Sequence, residues 1–224
     1  MKRSAARMSS EGDITGSPGR TERKRRAILQ EAEALFLDRG FDRTSVDDVA
    51  ARAEVSKQTV YKQFESKAAL FIAVVQAMTG PAAARVHAEM RDPETAAGVK
   101  DALMGHGERL LNIALTPKLM RLRRLAISET DRFPELGRAL YEGGPQRAIT
   151  GFARTLQRWT DRGLLVLNEP MVAATQFNWL VMGDPVNRAM FFGSLHLSSK
   201  AKKRHLTQSV RVFLAAYGRS VGDC

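Results

Sequence analysis

Apolar residues recur at three- and four-residue spacing along most of the chain, the period of helices with one face buried. Between Arg23 and Arg39, Ile28, Ala32, Leu35 and Phe36 fall on one such face, and Gly40 followed by Phe41 gives a strong stop signal. In "TSVDDVAARA", Thr44 and Ser45 are candidate N-caps with Asp47 and Asp48 three residues later, a capping-box pattern, and Val46, Val49, Ala50 and Ala53 line the face that follows. After Glu54 and Val55, Ser56 caps a short helix over 57–64, so two helices stand about three residues apart, the spacing of a helix-turn-helix. A fourth helix begins at Ser66 and presents Leu70, Phe71, Val74, Val75 and Met78 until Gly80 and Pro81, where a kink or break is expected.

Beyond Pro93 the pattern remains helical, near 95–115, 118–131, 134–142, 145–162, 169–183 and 203–217, punctuated at Pro117, Pro134, the "GGP" of 143–145, Gly163 and Pro170. The stretch "GDPVNRAMFFGSLHLSSKAKK" carries mixed signals and reads as a short helix followed by a loop. The prediction is an all-α chain: a disordered basic arm over 1–20, a three-helix helix-turn-helix domain over 21–67, a helical domain over 68–217 and a tail over 218–224.

The helix over 57–64 is too short to hold itself together in water. Val60 and Phe64 lie on one side and must dock it, with Val55, onto its neighbours, which leaves Gln58, Thr59 and Lys62 on the opposite side. Those side chains suit the base edges of a major groove, while Lys57, Lys62 and Lys67, the hydroxyls of Thr44, Ser45 and Tyr61, and the helix N-terminus suit phosphates. The bland reading of ten such residues is a solvated polar face.

Composition narrows the function classes. The 224 residues carry a net charge of +11, which favours an anionic partner, nucleic acid first and a membrane surface second. The charge is uneven: residues 1–26 hold eight Lys/Arg against three Asp/Glu, 27–67 hold six against eight, and 68–224 hold twenty-one against thirteen. Charge alone therefore does not locate a site. His87, His106, His196 and His205 show no metal-ligand spacing, no Gly-rich phosphate loop follows a strand, and the single Cys224 permits neither an intrachain disulfide nor a thiolate cluster. The expectation is a non-enzyme with no catalytic residue, metal or cofactor. The longest apolar run, Phe71 to Val75, is far short of a membrane span, and cytoplasm is the expected compartment, without a membrane partner.

The stretch "RGFDRTSVDDVAARAEVSKQTVYKQFESKAALF", residues 39–71, resembles the DNA-binding domain of TetR-family transcriptional regulators, with the Gly-aromatic pair, Thr44, the Val-Ser turn and Thr59-Val60-Tyr61 before Phe64 in place. Three positions depart from that pattern. Glu54 stands where the turn usually has Gly, Lys62 and Gln63 replace the usual aromatic and His, and Ala68 replaces a common Glu. "LRRLAISETDRFPELGRALYEGGP", residues 122–145, resembles the C-terminal domain of an AefR-like subgroup. The resemblance implies a helical second domain that binds a small-molecule effector and dimerises through its last two long helices.

The residues themselves give that second domain partial shape. The final helix has Leu206, Val210, Phe213, Leu214 and Tyr217 on one face and Val212 and Ala216 on a second, so it wants two partners, one of them a second subunit packed with Val172, Trp179 and Leu180 of helix 169–183. Met104, Leu111, Met120, Phe152, Phe177 and Trp179, with Trp159 beside them, are pocket candidates, although core burial is the commoner fate of each. Glu129, on the face of Leu122, Leu125 and Ala126, is expected either to pair with an internal Arg, the favoured reading, or to meet a cationic group of the ligand. Arg121, Arg123 and Arg124 read as a solvated basic face, with an acidic effector as the alternative. The functional expectation is a homodimeric repressor on a palindromic double-stranded DNA operator, released by an unidentified small molecule. The rival is a DNA-binding protein without such a ligand that works through protein partners.

Overall fold

The computed structural model describes residues 19–87, 92–193 and 197–218, so nearly all of the expected arm over 1–20 and of the tail over 218–224 lies outside the described residues. Among the described residues ten α-helices follow one another: α1 Arg20–Arg39, α2 Val46–Arg52, α3 Lys57–Phe64, α4 Lys67–His87, α5 Ala96–Ala114, α6 Pro117–Ser128, α7 Pro134–Tyr141, α8 Arg147–Asp161, α9 Pro170–Phe192 and α10 Ser199–Tyr217, with a π-helical turn, Glu142–Gln146, between α7 and α8. Among the described residues there is no strand, only an isolated bridge between Leu165 and Gly218 that ties the end of α10 to the α8–α9 loop.

Local chemistry sets the boundaries of the first four helices. Gly40, at φ 83°, ends α1 with its N–H donating to the Phe36 carbonyl, and Phe41 folds back onto the Phe36 ring at 5.8 Å. Ser45 begins α2 with a complete capping box: its Oγ accepts from Asp48 N–H, and its own N–H donates to the Asp48 carboxylate. The α2–α3 turn is a Schellman closure, with Val55 N–H donating to Ala50 O and Glu54 N–H to Ala51 O while Glu54 sits at φ 52°. Glu54 thus takes the left-handed conformation that the glycine usual at this position would adopt without strain. A second one, Glu65 at φ 54°, closes α3. Ser56 caps α3 by accepting from Thr59 N–H.

Two sequence expectations give way for reasons of packing, and a third, the punctuation at 143–145, falls where expected in an unexpected form. Helix α4 does not break at Gly80 and Pro81, because Leu70, Phe71, Val74 and Val75 hold it in one core and Val86 in another, on either side of an exposed Pro81. The "GGP" of 143–145 is not a gap but the π-helical turn, pressed so closely on α4 that a methyl group at Gly143 would lie 2.5 Å from the Thr79 hydroxyl. The helix expected over 169–183 runs on to Phe192, since Pro185, Val186 and Ala189 prolong the buried face laid down by Val181 and Met182. The loop expected after it falls partly on 194–196, outside the described residues.

Two apolar cores result, and the boundary between them is not where charge and composition shift. The first joins α1–α4 to Leu122 and Ala126 of α6 and Leu136, Ala139 and Leu140 of α7. The second fills α5, α8, α9 and α10 around Trp159, Phe152 and Phe177. Helix α4 is long and apolar enough by composition to span a membrane, but its apolar side chains lie in these cores. The helix-turn-helix is thus packed directly on α6 and α7, and surface pairs Arg132–Asp42, at 2.7 Å, and Lys118–Glu33 bridge the same junction.

Candidate nucleic-acid interface and ligand cavity

Helix α3 is clamped from both sides. Val60 and Phe64 are buried, and Arg25 covers the Phe64 ring at 4.4 Å while its guanidinium donates to the Gln63 carbonyl at 3.4 Å. Gln58 and Lys62 face outward, exposed, and Tyr61 is 42% exposed beside them. Thr59 is half-buried, its hydroxyl within 2.8 Å of the Ser56 hydroxyl. Lys57 pairs with Asp47 of α2 at 2.9 Å, and that carboxylate holds the Lys57 ammonium above its ordinary value, so it stays charged. Ser45 is exposed, with its Oγ donating to the Asp48 carboxylate at 2.7 Å.

Two of the expected phosphate contacts face the wrong way. Thr44 is buried, and its hydroxyl donates to the carbonyls of Gly40 at 2.8 Å and Leu35 at 3.2 Å, closing the α1–α2 turn. Lys67 lies over the Phe41 ring at 4.5 Å and donates to the Asp42 carbonyl at 3.2 Å; burial pushes its ammonium below the ordinary value. Both side chains brace the scaffold behind α3.

A partly open cavity of about 60 Å³ lies among α4, α5, α6, α7, α8, α9 and the π-helical turn. Ala82, Ala83 and Val86 line it from α4, Leu110, Ile113 and Ala114 from α5 and Leu119 from α6, and Leu140, Pro145, Ala148 and Met182 complete the apolar lining. Three side chains bring polar atoms to it: Thr79, Arg123 and Asn178. The space holds a few waters and is smaller than the roughly 300–1,000 Å³ of a drug-sized ligand site.

None of the seven pocket residues expected from sequence lines this cavity. Leu111, Met120, Phe152 and Phe177 are buried in the second core, where bulky apolar side chains close on one another, and Met104 packs against its edge. Phe152 and Phe177 stand 5.1 Å apart, with the His106 ring stacked on Phe152 at 4.1 Å. Glu129 is largely buried, but its Oε2 lies 3.6 Å from Arg132, an exposed neighbour three residues on, so its partner is a surface Arg and not the internal one expected. Trp179 is 47% exposed on the outer face of α9. The residues missed were Thr79 and Asn178, whereas Arg123, expected on a solvated basic face with an acidic effector as the alternative, is half-buried at the cavity. Asn178 carried a usable signal, a lone amide on the face that also holds Ala174, Val181 and Pro185.

On the outer side of α9 and α10, Val172, Trp179 and Val212 are exposed, with Phe191 and Phe192 beyond them at the end of α9.

Comparison with known proteins agrees with both halves. The model of the bacterial regulatory proteins of the tetR family matches residues 28–74, and that of the AefR-like transcriptional repressor C-terminal domain matches residues 101–219. A solved putative TetR-family transcriptional regulator from Mesorhizobium loti is 35% identical, covers 90% of this chain and 100% of that one, and superposes with a TM-score of 0.81. The solved flavonoid-responsive regulator FrrA is 31% identical over 89% of this chain and 99% of that one, with a TM-score of 0.74. An uncharacterised HTH-type transcriptional regulator of Bacillus subtilis, YdeS, is 47% identical over 53 residues, 24% of this chain and only 27% of that protein. With family models matching both halves and 90% of its length shared with a solved relative 35% identical to it, the chain belongs to the TetR family of bacterial transcriptional regulators.

Proposed function

We propose that this chain is a cytoplasmic homodimeric repressor that reads a palindromic operator through two copies of α3 and is released by a small molecule entering the cavity of the second domain. The observation that carries DNA reading is the geometry of α3: two buried apolar anchors on one side, Gln58 and Lys62 free on the other. Gln58 and Lys62 read base edges, with Thr59 at the margin, and Lys57, Tyr61, Ser45 and the α3 N-terminus hold phosphates. Thr44 and Lys67 position the turn behind them. Apolar side chains on α9 and α10, with Trp179 the largest in the middle of α9, support a twofold helix pair. Repression is the direction suggested by likeness to AefR-like repressors, and an aromatic effector by likeness to a flavonoid-responsive regulator. The rival, a regulator that takes no small ligand, predicts a filled second domain; a cavity lined by a buried amide without an acceptor favours the sensor.

Selection of bound fragments from the source genome tests this reading. The expected product is an inverted repeat whose half-sites lie about 34–36 Å apart, or a multiple of that spacing. Recovery of DNA without any repeated half-site would sink the operator assignment. Enrichment that falls when a metabolite extract is added supports the effector, and enrichment indifferent to every extract favours the rival.

A further inference from the structure

The cavity's polar atoms are unbalanced. Thr79 donates its hydroxyl proton to the Val75 carbonyl at 2.8 Å and keeps only lone pairs for the cavity. Asn178 is 4% exposed, and its amide nitrogen has no acceptor among the described residues. Arg123 reaches the cavity from α6 with no carboxylate partner among the described residues, and burial alone pushes its guanidinium below its ordinary value. An Arg keeps its charge even so, and a half-buried charge without a counterion is unfavourable until one arrives. Its neighbour Arg124 differs, since its guanidinium donates to the Ala189 carbonyl at 3.3 Å. Donors are thus in surplus within a wall that is otherwise apolar.

Resting on the sensor reading above, we propose that the effector is an organic monoanion, a small aromatic or aliphatic carboxylate, whose acidic group pairs with Arg123 and takes the Asn178 amide while its apolar body lies against Ala82, Ala83, Leu110 and Met182. The guanidinium fork suits the two oxygens of a carboxylate. Rotation about the last torsion of Asn178 exchanges its nearly isosteric amide ends and brings the nitrogen to the cavity. A neutral ligand of the same shape satisfies the amide but leaves the charge on Arg123 uncompensated. The consequence reaches the DNA-binding half by a short path. Arg123 lies on α6, whose end leads through Glu129 to Arg132 and Asp42, and α4, which also lines the cavity, continues into the helix-turn-helix.

The test uses the full-length protein and matched acid–amide pairs: benzoate with benzamide, phenylacetate with phenylacetamide, and hexanoate with hexanamide, titrated by calorimetry and in an operator-binding assay. At least one acid is expected to bind below 1 mM and roughly tenfold or more tighter than its amide, the discrimination of a charge-assisted contact. Arg123→Met should erase the preference. If that variant fails to fold, Arg123→Lys should keep the sign of the preference and reduce its size, and Asn178→Leu should weaken the acid more than the amide. Amides that bind as tightly as their acids, or an acid preference untouched by Arg123→Met, overturn the anion assignment. In the first of those cases, release of operator by an amide leaves the sensor reading standing. If no acid of any pair binds, the anion assignment fails as well, and release of operator by a metabolite extract then decides separately whether the domain senses anything.

Discussion

Around α3 the protein turns its polar side chains to water and only Val60 and Phe64 inward, whereas around the cavity the proportions reverse, three polar side chains standing among apolar walls. The first site is finished before any partner arrives: Ser56 caps the helix, Arg25 covers its end and the Lys57–Asp47 pair joins it to α2. The second is unfinished among the described residues, with an amide lacking an acceptor and a guanidinium lacking an anion. A rigid reader and an incompletely satisfied sensor are what a two-domain switch needs, because a ligand shifts an equilibrium only by what it binds differently in the two states. A reader that remodelled on its own would discriminate poorly between sequences, and a sensor already satisfied would gain nothing from its ligand.

Truncation should expose that difference most strongly. Phe64→Ala removes a filled anchor in the first core, and its cost is expected near the roughly 3–5 kcal/mol of large-to-small aromatic changes. Operator binding should vanish with it. Met182→Ala enlarges a space that is already partly empty, so its cost should fall at the low end of the roughly 2–5 kcal/mol range for such changes. Urea denaturation of the two variants measures both. Equal losses would mean that the cavity wall is as tightly packed as the reader's anchor.

Next in size is the division of labour on α3. Gln58→Ala should leave stability unchanged and relax base preference at one position by about 1–3 kcal/mol. Lys62→Ala should also weaken non-cognate DNA, lowering the salt slope by about one if its main contact is a phosphate. Lys67→Ala is different in kind, since it removes the tie to Asp42 and the cover over Phe41, and it should lower stability before it alters the salt slope. Binding isotherms on cognate and scrambled duplexes at several salt concentrations separate the three. A salt slope that responds only to Lys67 would reverse their assigned roles.

The first site was legible in the sequence because its determinants are local. The Ser45–Asp48 box, the Ser56 cap, the Gly40 stop and the left-handed Glu54 all act within five residues, and each appears where the pattern put it. What misled there was direction: Thr44 and Lys67 are polar residues near the reader, but hydrogen bonds to carbonyls of the α1–α2 turn draw them inward. The cavity is assembled from Thr79, Arg123, Leu140 and Asn178, which the chain brings together from well-separated helices. Residue type pointed the wrong way, since large aromatics such as Phe152 and Phe177 fill space rather than border it. The walls of an empty space come from small side chains, Ala82, Ala83, Ala114 and Ala148, whose pattern resembles that of any close helix contact. Continuity of α4 through Pro81 was hidden similarly, because it depends on anchoring in two cores.

A smaller effect comes from the backbone of the reader. A non-glycine residue in the left-handed region costs roughly 1–2 kcal/mol, and glycine returns about 0.5–1 kcal/mol of that as unfolded-state entropy. Glu54→Gly, at φ 52°, should therefore stabilise by ~1 kcal/mol, a rise of about 2–4 °C in melting temperature for a chain of this size. Glu65→Gly, at φ 54°, should do the same at the other end of α3. Both are measurable by thermal unfolding without ligand. No rise at either position would mean that local contacts of the glutamate offset the backbone strain.

The smallest expected effect lies at the junction of the two regions. A hydrogen bond from Arg132, reinforced by its charge, holds the Asp42 carboxyl below its ordinary value of 3.8, with Lys67 adding to the shift. Arg132 is held above its own ordinary value by the same contact and also faces Glu129 and the Phe133 ring. A depressed carboxyl contributes stability that is present above its unfolded value and lost as pH falls through its folded value. The loss therefore lies below about pH 4. Both side chains are exposed, so the contribution is small and screened by salt. The difference in melting temperature between the wild-type protein and Asp42→Asn should stay constant from pH 7 to about pH 5 and shrink towards zero in acid. A difference that persists well below the folded value would place the effect of Asp42 outside its charge. At neutral pH the Asp42–Arg132 pair is ionised, so in the proposed switch the signal from the cavity to α3 is carried by displacement of α4 and α6 rather than by protonation of that pair.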